Sequence, residues 1–295
     1  MSLVAYFFLA ALVVHVVTSV ILHRTNAQTQ GGREGAFLVA PVWPFVLVFW
    51  KVIYTRNLSA FLSATFQSLL FVGGCYLGYQ EGIFSRDLIS PVWIGVGLLA
   101  GHAIFGMSLL ATHHSLHDAR QHLSNVRGVW DYIVENPQVL MQFLSVSIGE
   151  EIIYRVGGQP LAISLFGGRA ALGIVAVAIG FSLVHEHFFR NDFSQSAEFL
   201  VFSLVLGVLY YVTGSLVLVI VIHAVRNIEI AMLEHEARVE ETGSEGTAER
   251  TEALLSGHDL LVMVGCPPCG VDTACFSYAS QPDMRPELRH QLEKV

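Results

Sequence analysis

The stretch Gly149-Glu150-Glu151-Ile152-Ile153-Tyr154-Arg155 sets two adjacent carboxylates inside an otherwise apolar run. An ionisable side chain inside a membrane span is costly, so it marks function by default. Helical spacing separates the two acids. Glu151 and Arg155 stand at i,i+4 with the acid first, the favourable order for an ion pair. Glu150 points about 100° away from that face and needs another partner. A carboxylate with no cation beside it can act as a general base, taking a proton from water.

Two further apolar runs carry polar pairs at the same spacing. Phe181 and His185 stand at i,i+4, followed by Glu186 and His187, which read as interfacial beside Arg190 and Asp192. His223 and Asn227 repeat the spacing in a third run. The three pairs together supply a base (Glu150), a second water-binding group (His185) and two donors for a developing oxyanion (His223, Asn227). That set suffices for peptide hydrolysis without a Ser or Cys nucleophile. Two other readings use the same residues. Glu150, His185 and His223 form a His₂Glu set of the kind that holds catalytic zinc, although no His-Glu-x-x-His motif is present. Alternatively, the buried charges are structural, in a non-catalytic immunity, scaffold or transport protein.

Glu-Glu-x-x-x-Arg, Phe-x-x-x-His and His-x-x-x-Asn occur in that order, each on its own hydrophobic segment. This combination resembles the CAAX protease and bacteriocin-processing (CPBP, Abi) family of glutamate-type intramembrane endopeptidases, relatives of the type II CAAX prenyl endopeptidase. The resemblance covers about residues 138–232. It implies an all-helical membrane bundle with Glu150 as general base and His185 helping to bind the attacking water. It places His223 and Asn227 in the oxyanion hole, with Glu151, Arg155 and Phe181 as supporting motif members. It implies no cofactor and no metal. The expected substrate is a membrane-associated protein or peptide, and the expected location a prokaryotic cell membrane. Nothing in it fixes the cleavage site.

The composition fits a scaffold of that kind. Of 295 residues, 53% are hydrophobic and only 14% charged, with mean hydropathy +0.56. Soluble domains carry about 25% charge, which argues against an ordinary cytosolic enzyme. Collagen-like, disordered and disulfide-framework classes are excluded, with Gly at 26 and Cys at 4. The predicted fold class is all-α, a polytopic transmembrane helical bundle of about eight spans with a polar acidic C-terminal tail. A span needs about 20 mostly apolar residues, and candidates lie near 3–22, 36–55, 58–79, 89–111, 138–164, 170–189, 197–213 and 215–233. The first has no basic leader and no small-residue cleavage site, so it reads as an uncleaved span. The loop cations divide as Arg24, Arg33, Arg86 and Arg169 against Lys51, Arg56, Arg120, Arg127 and Arg190, too even a split to fix orientation. The chain divides into N-terminal helices with a His-rich loop (1–137), a catalytic core (138–233) and an acidic tail (234–295); residues 112–137 read as a long polar loop, Thr213-Gly214-Ser215 as a tight helical hairpin between the last two spans, and Glu234 to Glu241 as a charged helical continuation.

The net charge of −8 lies mostly in that tail: residues 233–295 hold 5 Lys/Arg and 12 Asp/Glu, a balance of −7. No basic patch exists, which argues against nucleic acid as a partner. Cys75 reads as a packed core residue. Cys266, Cys269 and Cys275 form a weak metal or redox signal that His258 or His290 could complete, with unpaired tail thiols or a local disulfide the simpler reading. The segment 112–122 is rich in histidine, and His113, His117 and Asp118 have a spacing that could bind zinc; a solvated polar loop is the favoured reading. His15 and His102, each inside a span, are expected to make interhelical hydrogen bonds.

Overall fold

A computed structural model describes residues 2–26, 58–85, 90–112, 115–185, 188 and 192–242. It is helical throughout, with no strand among the described residues. The helices are α1 (Leu3–Asn26), α2 (Leu58–Gln80), α3 (Pro91–Ala111), α4 (Leu116–Ser124), α5 (Val126–Glu135) and α6 (Pro137–Glu151). A π-helical segment, Ile152–Gly158, joins α6 to α7 (Gln159–Leu165). Then follow α8 (Ala170–Leu183), α9 (Phe193–Thr213) and α10 (Leu216–Thr242).

Among the described residues, four stretches are long and apolar enough to cross a membrane: Leu3–Val20, Pro91–Ala111, Phe193–Thr213 and Leu216–Glu236. They coincide with the expected spans at 3–22, 89–111, 197–213 and 215–233. The apolar helix Ala170–Leu183 is shorter. The expected span at 58–79 is the helix α2, and the one at 138–164 is divided by the π-helical segment. The expected span at 36–55 lies outside the described residues.

Local chemistry sets the boundaries. Pro91 opens α3, where its missing N–H has no helical partner to lose. Asp192 caps α9 by accepting the Gln195 N–H at 2.8 Å. Between α9 and α10 the chain reverses at Gly214, whose φ of 65° is a left-handed conformation that suits glycine. This is the tight helical hairpin expected from Thr213-Gly214-Ser215.

The segment 112–137 differs from the polar loop expected of it. It folds as the two short helices α4 and α5. Ser115 and Asp118 form a reciprocal capping box that starts α4, and Asn125 accepts the Gly128 N–H at the start of α5. Each helix buries one face: Ala119 and His122 from α4, Tyr132 from α5. His117 and Asp118 are exposed, and the Asp118 carboxylate is engaged in the cap. His113 lies outside the described residues.

Helix α10 is the axis of the bundle. Its span is 72% buried, against 33% for α3 and for α9. It meets α3 at close range because Gly97 and Gly101 present no side chain there. A Cβ on Gly97 would lie 2.8 Å from the Val221 Cβ, and one on Gly101 2.9 Å from the Val225 Cβ. Helix α2 approaches the π-helical segment by the same means, since a Cβ on Gly74 would lie 2.9 Å from the Ile152 carbonyl oxygen. Small residues at such crossings are how membrane helices gain packing contact. The π-helical segment is then held between two core clusters. Ile152 and Val156 pack with Phe202, Leu206 and Val219, while Ile153 and Tyr154 pack with Phe8, Leu70, Val177 and Phe181.

Helix α10 continues as the expected charged extension through Thr242. Residues 243–295, with Cys266, Cys269, Cys275, His258 and His290, lie outside the described residues, as do Glu186, His187 and Arg190. Cys75 is a free, half-buried thiol beside the core. His15 is buried in α1.

Candidate active site

Glu150, on the last turn of α6, lies between two imidazoles. Its Oε1 is 3.5 Å from His185 Nε2, just beyond the end of α8, and its Oε2 is 3.5 Å from His223 Nε2 on α10. Both rings are fixed from their other nitrogen. His185 Nδ1 lies 2.7 Å from the Phe181 carbonyl oxygen, which can only accept, so Nδ1–H donates. His223 Nδ1 lies 2.8 Å from Glu151 Oε1 and donates to that carboxylate. Nε2 of each ring is therefore the atom turned toward Glu150.

Glu151 is paired with Arg155, whose Nε donates to Glu151 Oε2 at 3.0 Å. Neither residue has any solvent exposure. The expected pair forms even though the backbone beyond Glu151 is π-helical. Single π-helical turns inserted in α-helices recur at functional sites. The arginine also donates from Nη2 to Ser203 Oγ of α9 at 3.1 Å. Phe181, fully buried, supports the whole assembly. Its ring is 4.6 Å from that of His185 and 5.9 Å from that of His223, with the Arg155 guanidinium 5.4 Å over its centre. Tyr154 meets it edge-on at 5.0 Å.

Exposure is graded across the site. His223 is buried, at 3%, whereas Glu150 and His185 keep 14% and 23% of their side-chain surface. The Glu150–His185 edge is thus the more open side of the site, and the Glu151–Arg155–His223 side is closed. Asn227, one turn beyond His223, is half-buried and makes no side-chain hydrogen bond among the described residues. Every proposed site residue is therefore described, and six of the seven are linked by direct contacts; Asn227 shares the face of His223 by spacing alone.

The decisive comparison is with known families. Residues 134–228 match the family described as type II CAAX prenyl endopeptidase Rce1-like. This Rce1-like segment contains all three motifs, and it agrees closely with the extent read from the residues alone. Neither a curated protein nor a solved structure matches the chain. The Rce1-like match and the four apolar helices found among the described residues together support an integral membrane protein, similar over residues 134–228 to CAAX prenyl endopeptidases.

Several residues around the Rce1-like motifs escaped the sequence reading. Ser203, Phe199 and Phe202 of α9 wall the site, and nothing in their types distinguishes them from ordinary packing. Arg226 pairs with Glu198 at 2.7 Å, lies 4.5 Å over the Phe202 ring, and is 3% exposed. Glu198 also accepts a hydrogen bond from Ser108 of α3. Both ions lie within apolar spans, so the signal used for Glu150 was available for them.

Proposed function

We propose that the chain is an intramembrane endopeptidase that cleaves a peptide bond of a membrane-associated protein or peptide. The observation that carries this reading is the Glu150 carboxylate set between two imidazoles whose Nδ1 atoms are already engaged. A water between Glu150 and His185 donates one hydrogen to the carboxylate and one to His185 Nε2. Its free lone pair attacks the carbonyl carbon as its proton passes to Glu150. His223 and Asn227 meet the oxyanion. For His223 to donate from Nε2 while Nδ1–H remains on Glu151, it must be the imidazolium. The buried set then balances: two carboxylates against Arg155 and His223. Glu150 returns the proton to the leaving amine nitrogen as the C–N bond breaks. In this scheme Glu151 and Arg155 position His223, and Phe181 positions His185. The catalytic core corresponds to residues 138–233, in a prokaryotic cell membrane.

One alternative has an observation in its favour. Imidazoles that donate from Nδ1 to a fixed acceptor and present Nε2 inward are also oriented as metal ligands are. Under that reading Glu150, His185 and His223 would hold zinc. Cleavage by purified protein in lipid, with and without a metal chelator, separates the two. Unchanged cleavage in chelator supports the carboxylate mechanism. Loss restored by zinc favours the metal. If membranes containing the wild-type protein show no cleavage with or without chelator, the non-catalytic reading stands.

A further inference from the structure

A second cluster of His and Glu lies outside the catalytic constellation. His102 of α3, His122 of α4 and Glu229 of α10 offer one nitrogen or oxygen each, all within 4.8 Å of one another. His102 Nδ1 is 2.5 Å from Glu229 Oε1, and His122 Nε2 is 3.3 Å from Glu229 Oε2. The two rings are tilted at 36° with centroids 5.5 Å apart. Glu229 is 1% exposed, and among the described residues no Lys or Arg approaches it. The nearby Arg226 is committed to Glu198.

As a carboxylate, Glu229 therefore needs a cation from within the cluster. His102 Nε2 lies 3.2 Å from the Leu123 carbonyl oxygen, which only accepts. Nε2 thus carries the hydrogen. A neutral His102 then turns the Nδ1 lone pair directly at a carboxylate oxygen, and two lone pairs at that separation repel. Either a hydrogen lies between them, on the ring or on the carboxyl, or a metal ion holds both atoms, the pair then opening to about 3 Å to fit metal–ligand bonds of about 2 Å. A proton on His102 satisfies that one contact alone. A metal satisfies all three ligand atoms at once, and a ring held from its far nitrogen by a carbonyl is the usual way a ligating histidine is oriented.

We infer that His102, His122 and Glu229 form a binding site for a divalent transition metal of the zinc class. Two imidazoles and a carboxylate suit such ions, and three protein ligands leave a further position for water. The ligands come from three separate helices. The metal would fasten the cap helix α4 to α3 and α10, the helix that also carries His223. Glu229 is six residues beyond His223, about 9 Å along the helix axis, so the two sites are distinct. The inference does not depend on the protease reading.

The test is metal content of the full-length protein purified in detergent, measured by mass spectrometry after zinc loading and desalting. Wild type and Glu150→Gln are each expected to hold about one equivalent, and Glu229→Gln and His122→Ala less than about a tenth of that. Should these variants fail to fold, a second measurement uses wild type alone. Chelator-stripped protein is titrated with Co(II), and saturable visible bands at one equivalent, abolished by zinc, are expected. Stripped wild type that takes up neither Co(II) nor zinc would overturn the inference and leave a protonated His102. So would metal that is lost with Glu150→Gln and retained in Glu229→Gln, because it would then belong to the catalytic constellation.

Discussion

Glu151 and Arg155 neutralise each other at positions without solvent contact, and their partners His223 and Ser203 come from two other helices. Removing the guanidinium would leave a buried carboxylate with only an imidazole for compensation. Breaking a buried pair in this way costs about 3–5 kcal/mol. We therefore expect Arg155→Ala to lower the midpoint of thermal unfolding in detergent and the amount of protein in the membrane, whether or not a substrate is present. An unchanged midpoint would mean that the pair does not hold the fold. Glu150, Glu151, His185 and His223 were legible in the sequence because an ionisable residue in an apolar run stands out. Their mutual placement was not, since Glu151 and His223 are 72 residues apart. Glu229 had the same visible signal, but its partners His102 and His122 lie 127 and 107 residues away. Ser203 and Phe199 carried no signal, because serine and phenylalanine are ordinary in such helices.

The elements that carry these residues are set by close helix contact. Gly97 and Gly101 bring α3 against Val221 and Val225 of α10, on either side of His223 in sequence. Gly101→Leu forces a branched side chain into that crossing, and overpacking of this kind costs about 1–3 kcal/mol. The expected result is a lower unfolding midpoint together with a reduced turnover, because α10 must shift and His223 moves with it. Calorimetry and a cleavage assay on the same preparation check both. A variant as stable and active as wild type would show that the crossing tolerates separation. Long apolar helices were readable from hydropathy, and the α9–α10 hairpin from Thr213-Gly214-Ser215. The π-helical segment was not, because its widened hydrogen-bonding leaves no mark on hydropathy. Helices α4 and α5 do not stand out in the sequence, because their polar composition masks the Ser115-x-x-Asp118 cap that starts α4.

Over the whole molecule, large apolar side chains face outward along the spans. Phe7 on α1, Leu99 and Met107 on α3, and Val201 and Val212 on α9 are all exposed. Exposed apolar surface repeated on several long helices suits a lipid surround rather than water. The protein is therefore expected to remain in the membrane pellet after alkaline carbonate extraction and to be released only by detergent; release by carbonate alone would contradict the spanning arrangement. Within that shell the ionisable residues gather at the inner faces of α6, α8, α9 and α10, where a peptide bond and one water would meet Glu150 and His185. The central claim is that Glu150 drives hydrolysis, and one comparison tests it most directly. Protein termini are profiled in membranes holding wild type or Glu150→Gln at matched abundance. A defined set of new termini is expected with wild type and, with Glu150→Gln, a rate of their appearance about 10²–10⁴-fold lower. The same termini at the same rate from both proteins would contradict the role of Glu150.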